Sequence, residues 1–157
     1  MRYRRLFLLG LIGLSAPAIA WTGSHYSLDL RPDFGSQYLA GHARIELSRD
    51  SSSKDFVEIL SPRLALQTVK VEGSRVIPEK GDTGWRIALS PENRAPSKLE
   101  LHIEYVARPS PGLVFGEDYV YTAFHTCRWM PCVGTDLSQA SVSIALHVPD
   151  GTRSVEV

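Results

Sequence analysis

Residues 121–150 read Tyr-Thr-Ala-Phe-His-Thr-Cys-Arg-Trp-Met-Pro-Cys-Val-Gly-Thr-Asp-Leu-Ser-Gln-Ala-Ser-Val-Ser-Ile-Ala-Leu-His-Val-Pro-Asp, two extended segments around a compact corner. Val120 to Phe124 is aromatic and β-branched, which suits a pleated, half-buried surface. Pro131 removes a backbone donor, and Gly134, Asp136 and Ser138 supply turn chemistry. From Ser141 the residues alternate, with Val142, Ile144, Leu146 and Val148 on one face and Ser141, Ser143, Ala145 and His147 on the other. Strict alternation predicts a half-buried strand, which Pro149-Asp150-Gly151 ends.

The same period of two runs through the chain upstream. Tyr26, Leu28 and Leu30 share one face, and Ala43, Ile45 and Leu47 share another. With turn residues between them, the two segments predict a hairpin. Phe56, Val57, Ile59 and Leu60 give a short strand. Leu64, Leu66, Val69 and Val71 give the next, with a phase slip at Thr68 that predicts a bulge. Glu72-Gly73-Ser74 turns the chain. Val76-Ile77-Pro78 is brief, Trp85, Ile87 and Leu89 alternate, and so do Leu99, Leu101, Ile103 and Tyr105. Trp85 is therefore expected in the core. No window keeps a helical period. About nine short strands, with a turn every 8–12 residues, predict an all-β antiparallel sandwich or saddle-like sheet domain.

Composition agrees with one packed domain. The chain has 157 residues, 43% of them hydrophobic, and 17 basic residues balance 17 acidic ones. That balance gives no basic footprint for nucleic acid. Residues 1–20 stand apart. Arg2, Arg4 and Arg5 precede a short apolar run from Leu6 to Leu14, and Ala18-Ile19-Ala20 has the small-x-small form of a cleavage site. This is the pattern of a signal peptide, too short to span a bilayer. The expectation is an exported chain, periplasmic or secreted, that begins at Trp21 and has no membrane span after cleavage. Removing the three arginines reduces 17 basic residues to 14 against 17 acidic ones. So small an excess implies solubility and no particular partner.

Arg-Trp-Met-Pro-Cys at 128–132, Asp136 soon after, and an alternating strand closing in Val-Pro-Asp-Gly resemble the aminopeptidase N family of zinc metallopeptidases, peptidase family M1. The N-terminal β domain of that family carries an Arg-Arg-x-x-Pro-Cys-x-Asp-x-Pro corner before such a strand. Tyr26-Ser-Leu-Asp-Leu, Gly41-His-Ala-Arg-Ile-Glu-Leu and Leu99-Glu-Leu-His-Ile-Glu-Tyr ahead of Pro111-Gly-Leu follow in the family's order. The resemblance covers Tyr26 to the end. It implies that 21–157 is the family's N-terminal β domain, cut before its last strands and before the catalytic domain, as in a fragment or truncated product.

The family's zinc motif, His-Glu-x-x-His on a helix, is not in the sequence. His25, His42, His102, His125 and His147 make no such spacing, and no metal ligand set is expected from them. By resemblance, zinc belongs to a catalytic domain outside this chain. The family's β domain also lends a Gln or Glu that holds the substrate's α-amine. At the nearest matching position this chain has Thr122-Ala123-Phe124-His125, so Ala123 and His125 stand at the substrate-binding place. Neutral imidazole is a poor anchor for an ammonium group, which counts against exopeptidase activity. Arg128, Trp129, Pro131, Cys132 and Asp136 are expected to build the corner: Arg128 tied to carbonyls or an acid, Trp129 in the core, Asp136 accepting turn hydrogen bonds.

Cys127 and Cys132 are the only cysteines. An extended chain would hold them about 16 Å apart, beyond the ~7 Å reach of a disulfide. Free thiols are expected, unless a tight turn at Pro131 brings them together. In the family, the second cysteine of this corner is a buried thiol. Cys127 and His125 share a strand face on paper, yet no third group orients them for nucleophilic catalysis. The expected function is a non-catalytic domain that packs on the catalytic domain of an M1 metallopeptidase and walls its peptide cleft. The alternative is a free-standing secreted β-sandwich that binds a protein or a sugar.

Overall fold

A computed structural model describes residues 21–49, 55–134, 137 and 140–148. The expected signal segment, Asp136 and the chain beyond Val148 lie outside the described residues. Strand β1 (Thr22–Asp33) turns through an Asx turn, in which Ser36 N donates to Asp33 Oδ1 at 2.7 Å, into β2 (Tyr38–Ser48). There follow β3 (Phe56–Ile59), β4 (Ala65–Val71), β5 (Ser74–Val76), β6 (Glu79–Lys80), β7 (Trp85–Ala88) and the one-turn helix α1 (Pro91–Arg94). Strand β8 (Lys98–Ala107), the pair β9 (Leu113–Phe115) and β10 (Val120–Thr122), a 3₁₀ turn (Thr126–Arg128) and β11 (Ser141–Leu146) complete the described chain.

The predicted β1–β2 hairpin forms, and the bulge falls where the phase slips, between Leu66 and Thr68 against β8. Six strands make one sheet in the order β11-β1-β2-β8-β4-β5. Three more pair as β3-β7-β6, and β9 pairs with β10. All pairings are antiparallel except β1 with β11, which run parallel. The fold is all-β, as the alternation predicts.

Alternation places Tyr26, Leu28 and Leu30, then Ala43, Ile45 and Leu47, then Leu99, Leu101, Ile103 and Tyr105 on one face of the large sheet. Val57, Ile59, Ile87 and Leu89 of the small sheet join them in a single core. Trp85 packs at its margin, half-buried. Strand β11 departs from expectation. Its apolar face continues that of β1, with Val142 beside Tyr26 and Ile144 beside Leu28, yet Val142 and Ile144 are 49% and 42% exposed. Among the described residues the strand is the sheet's edge, joined to β1 alone, and no described element covers that end of the inner face.

Candidate functional site

The Met130–Val133 segment is held from two sides. The Ser61 hydroxyl, fully buried, donates to the Met130 carbonyl at 3.0 Å and accepts from the Cys132 amide at 3.0 Å. Leu60 N donates to the Cys132 carbonyl at 2.8 Å, and Val133 bridges to Ile59. From β1, the Tyr26 hydroxyl accepts from Val133 N at 3.1 Å and donates to its carbonyl at 3.4 Å. Burial pushes the Tyr26 phenol above its ordinary pKa despite that backbone bond, so the hydroxyl keeps its proton. Trp129, Met130 and Cys132 are buried, as the corner reading expects for Trp129.

The expectation of free thiols is wrong: Cys127 and Cys132 form a disulfide with Cα atoms 5.3 Å apart. The extended chain assumed between them does not exist. Between the cysteines the chain coils, with Trp129 N and Met130 N both donating to the Thr126 carbonyl, at 3.1 and 3.0 Å; just ahead of Cys127, Phe124 and His125 take left-handed conformations, with φ of 48° and 43°. The 3₁₀ turn then winds Thr126–Arg128, with Arg128 N donating to the His125 carbonyl at 2.8 Å. A compact turn shortens the span that an extended chain would open. Consecutive non-glycine residues in this region are costly and persist where surrounding structure fixes them. Gly112 helps to fix them. Its own φ is +96°, and a Cβ there would lie 2.8 Å from the Phe124 carbonyl oxygen.

This corner presents His125 and Arg128 to solvent across from Arg63, around a cleft of ≈ 320 Å³ completed by Leu60, Pro62, Thr126 and Cys127. Among the described residues no acidic side chain lines it. Arg128, expected to be tied to carbonyls or an acid, has no ion-pair partner among the described residues. Ala123 is half-buried and its N–H donates to the Gly112 carbonyl at 3.2 Å, so it offers the cleft no polar side chain. Pro131 is buried within the corner. Beside it, the β9–β10 hairpin carries an apolar surface. Tyr121 sits opposite Val114 and is 59% exposed, and Phe124 is 86% exposed. The Cys127–His125 nucleophilic pair is excluded, because Cys127 is oxidised in the disulfide.

Sequence reasoning singled out the corner but missed Ser61 and the Tyr26 hydroxyl, the two side chains that stitch it down. Ser61 lies in a loop that carries no periodic signal. Tyr26 reads only as an apolar strand residue.

The architecture is thus a six-stranded sheet, a three-stranded sheet and a disulfide-closed corner with an aromatic hairpin. No protein-family model and no curated protein matches the sequence. Solved structures match the fold. Yeast LTA4 hydrolase superposes with a TM-score of 0.64 at 19% identity, covering 82% of this chain and 23% of that one. An M1 zinc metallopeptidase from Deinococcus radiodurans gives 0.64 at 17% identity, covering 83% of this chain and 33% of that one. The chain has the fold of the N-terminal β domain of M1 zinc metallopeptidases. It spans a quarter to a third of the length of the proteins it matches.

Proposed function

We propose that this chain is the non-catalytic N-terminal β domain of an aminopeptidase-N-like zinc metallopeptidase, exported from the cytoplasm, which packs on a catalytic domain and walls its peptide cleft. The carrying observation is the exposed apolar surface of Val114, Tyr119, Tyr121 and Phe124, beside the corner where the family resemblance places substrate contacts. Exposed aromatic clusters rimmed by polar residues mark interaction surfaces. The zinc and the water it activates reside in the catalytic domain. His125 and Ala123 put no carboxylate at the matching position to anchor an α-ammonium group, so these two positions contribute shape and apolar contact.

The test begins with the reading frame downstream of Val157. The proposal expects a His-Glu-x-x-His motif there, and chelator-sensitive hydrolysis of aminoacyl substrates only by protein that carries it. A double Tyr121→Asp, Phe124→Asp variant of that longer protein is expected to open the domain contact to limited proteolysis. Unrelated sequence downstream, or an unchanged cleavage pattern, sinks the reading. In the first case a free-standing binding module takes its place.

A further inference from the structure

The outer face of the large sheet brings together two histidines that are 60 residues apart. His42 on β2 and His102 on β8 lie on adjacent strands, rings stacked at 25° with centroids 5.6 Å apart. His102 Nδ1 stands 3.4 Å from His42 Nε2. The other nitrogen of His102, Nε2, is 2.6 Å from Glu100 Oε1. An ionised carboxylate only accepts, so Nε2 carries the proton and Nδ1 turns a lone pair toward His42. Arg44 Nε donates to Glu100 Oε2 at 2.6 Å and holds that carboxylate in place.

Two imidazoles on one tetrahedral ion, each about 2.0–2.1 Å from it, have nitrogens about 3.3–3.4 Å apart. The observed 3.4 Å separation equals that bite; without an ion the same two nitrogens share a hydrogen bond, and a small rotation of the rings turns both lone pairs toward one point. A carboxylate on the far nitrogen is the partner that metal-bound histidines ordinarily have. The surrounding charges are mixed. Asp29 on β1 and Glu104 on β8 stand directly opposite His42, while Arg44 on β2 and Lys70 on β4 stand opposite His102. Arg44 is neutralised by Glu100, and Asp29 is paired with Arg31 and accepts a hydrogen bond from His147 Nε2. Glu104 is exposed, next to His42. Among the described residues no three such ligands stand ready-assembled, so a third must swing in.

We propose that His42 and His102 bind a borderline divalent cation of the Zn2+ or Cu2+ class, with Glu104 closing on it as third ligand and water filling the fourth place. Glu100 is a positioning residue that fixes the tautomer of His102. The site stands on this chain alone and needs no second domain.

Tag-free, chelator-treated protein titrated with zinc chloride tests it, by calorimetry and by imidazole NMR. The expected result is one zinc per chain at pH 7.5, with shifts at the ring nitrogens of His42 and His102. Binding should be lost at pH 5.5, where protons compete for the imidazoles. His42→Gln or His102→Gln should weaken it at least about tenfold, and Glu100→Gln about 10–100-fold, with a changed His102 tautomer signature. His125→Gln should leave it unchanged. No response up to about 1 mM free zinc, undiminished affinity in a folded His42→Gln, His102→Gln double variant, or wild-type shifts confined to His25, His125 or His147 would each overturn the proposal. The wild-type NMR shifts decide the matter even if a variant fails to fold.

Discussion

Replacing Ser61 with alanine removes one oxygen and strands two buried backbone groups. The Cys132 amide and the Met130 carbonyl each lose a 3.0 Å bond to the Ser61 hydroxyl. Cys132 and Ser61 are fully buried, so no water takes over. An unsatisfied buried group costs about 1–3 kcal/mol, and two of them, with some relaxation, about 2–4 kcal/mol. For a domain of about 140 residues each kcal/mol moves the melting temperature by roughly 3–4 °C, so Ser61→Ala should melt about 6–16 °C lower. Circular dichroism melts and urea titration measure this, and amide exchange at Cys132 should quicken. Tyr26→Phe strands the Val133 amide of the same segment. The double variant should therefore depart from additivity by about 0.5 kcal/mol or more. A Ser61→Ala melt within about 2 °C of wild type would refute the idea that this hydroxyl pins the corner.

Reducing the disulfide, or Cys127→Ser with Cys132→Ser, should cost about 2 kcal/mol for so short a closed loop; an unchanged urea midpoint counts against a constraining role. Acid should destabilise the fold through Glu100, whose carboxyl is held below its ordinary 4.5 chiefly by the hydrogen bond from His102 and also by Arg44. A lowered folded pKa means stability present above pH 4.5 and lost as pH falls through the folded value, so Glu100→Gln should flatten that limb of a stability–pH curve. Asp29 adds to it, since His147 and Arg31 outweigh the burial that pushes its carboxyl up. N-terminal sequencing of exported protein should return Trp21 first, a residue buried in the core; an intact Met1 on membrane-free exported protein would contradict cleavage there.

Strands β1, β2 and β8 were legible because each alternates over a long run, β1 from His25 to Asp33 and β2 and β8 along their whole length, and buries one full face. The slip at Thr68 was legible for the same reason: alternation reveals an extra residue. Burial of β11 was not, because alternation reports which residues share a face and says nothing of what covers it. The disulfide was hidden because Thr126–Met130 coils, with Trp129 N and Met130 N both donating to the Thr126 carbonyl, where the sequence shows neither a helical period nor a turn residue before Pro131. The facing of His42 and His102 depends on register between strands far apart in the chain, which no local pattern encodes.

The parallel pairing of β1 with β11 also sets a timetable. His25 meets Ser141, 116 residues later. β2 can close on β1 soon after synthesis, but the other rim of β1 waits for its partner. At about 5–20 residues per second that wait is roughly 6–23 s. For that interval a twelve-residue strand offers a bare row of amides and carbonyls to any neighbouring chain. A nascent chain held on the ribosome, or unfolded on its way through a membrane, is therefore most vulnerable at its earliest strand.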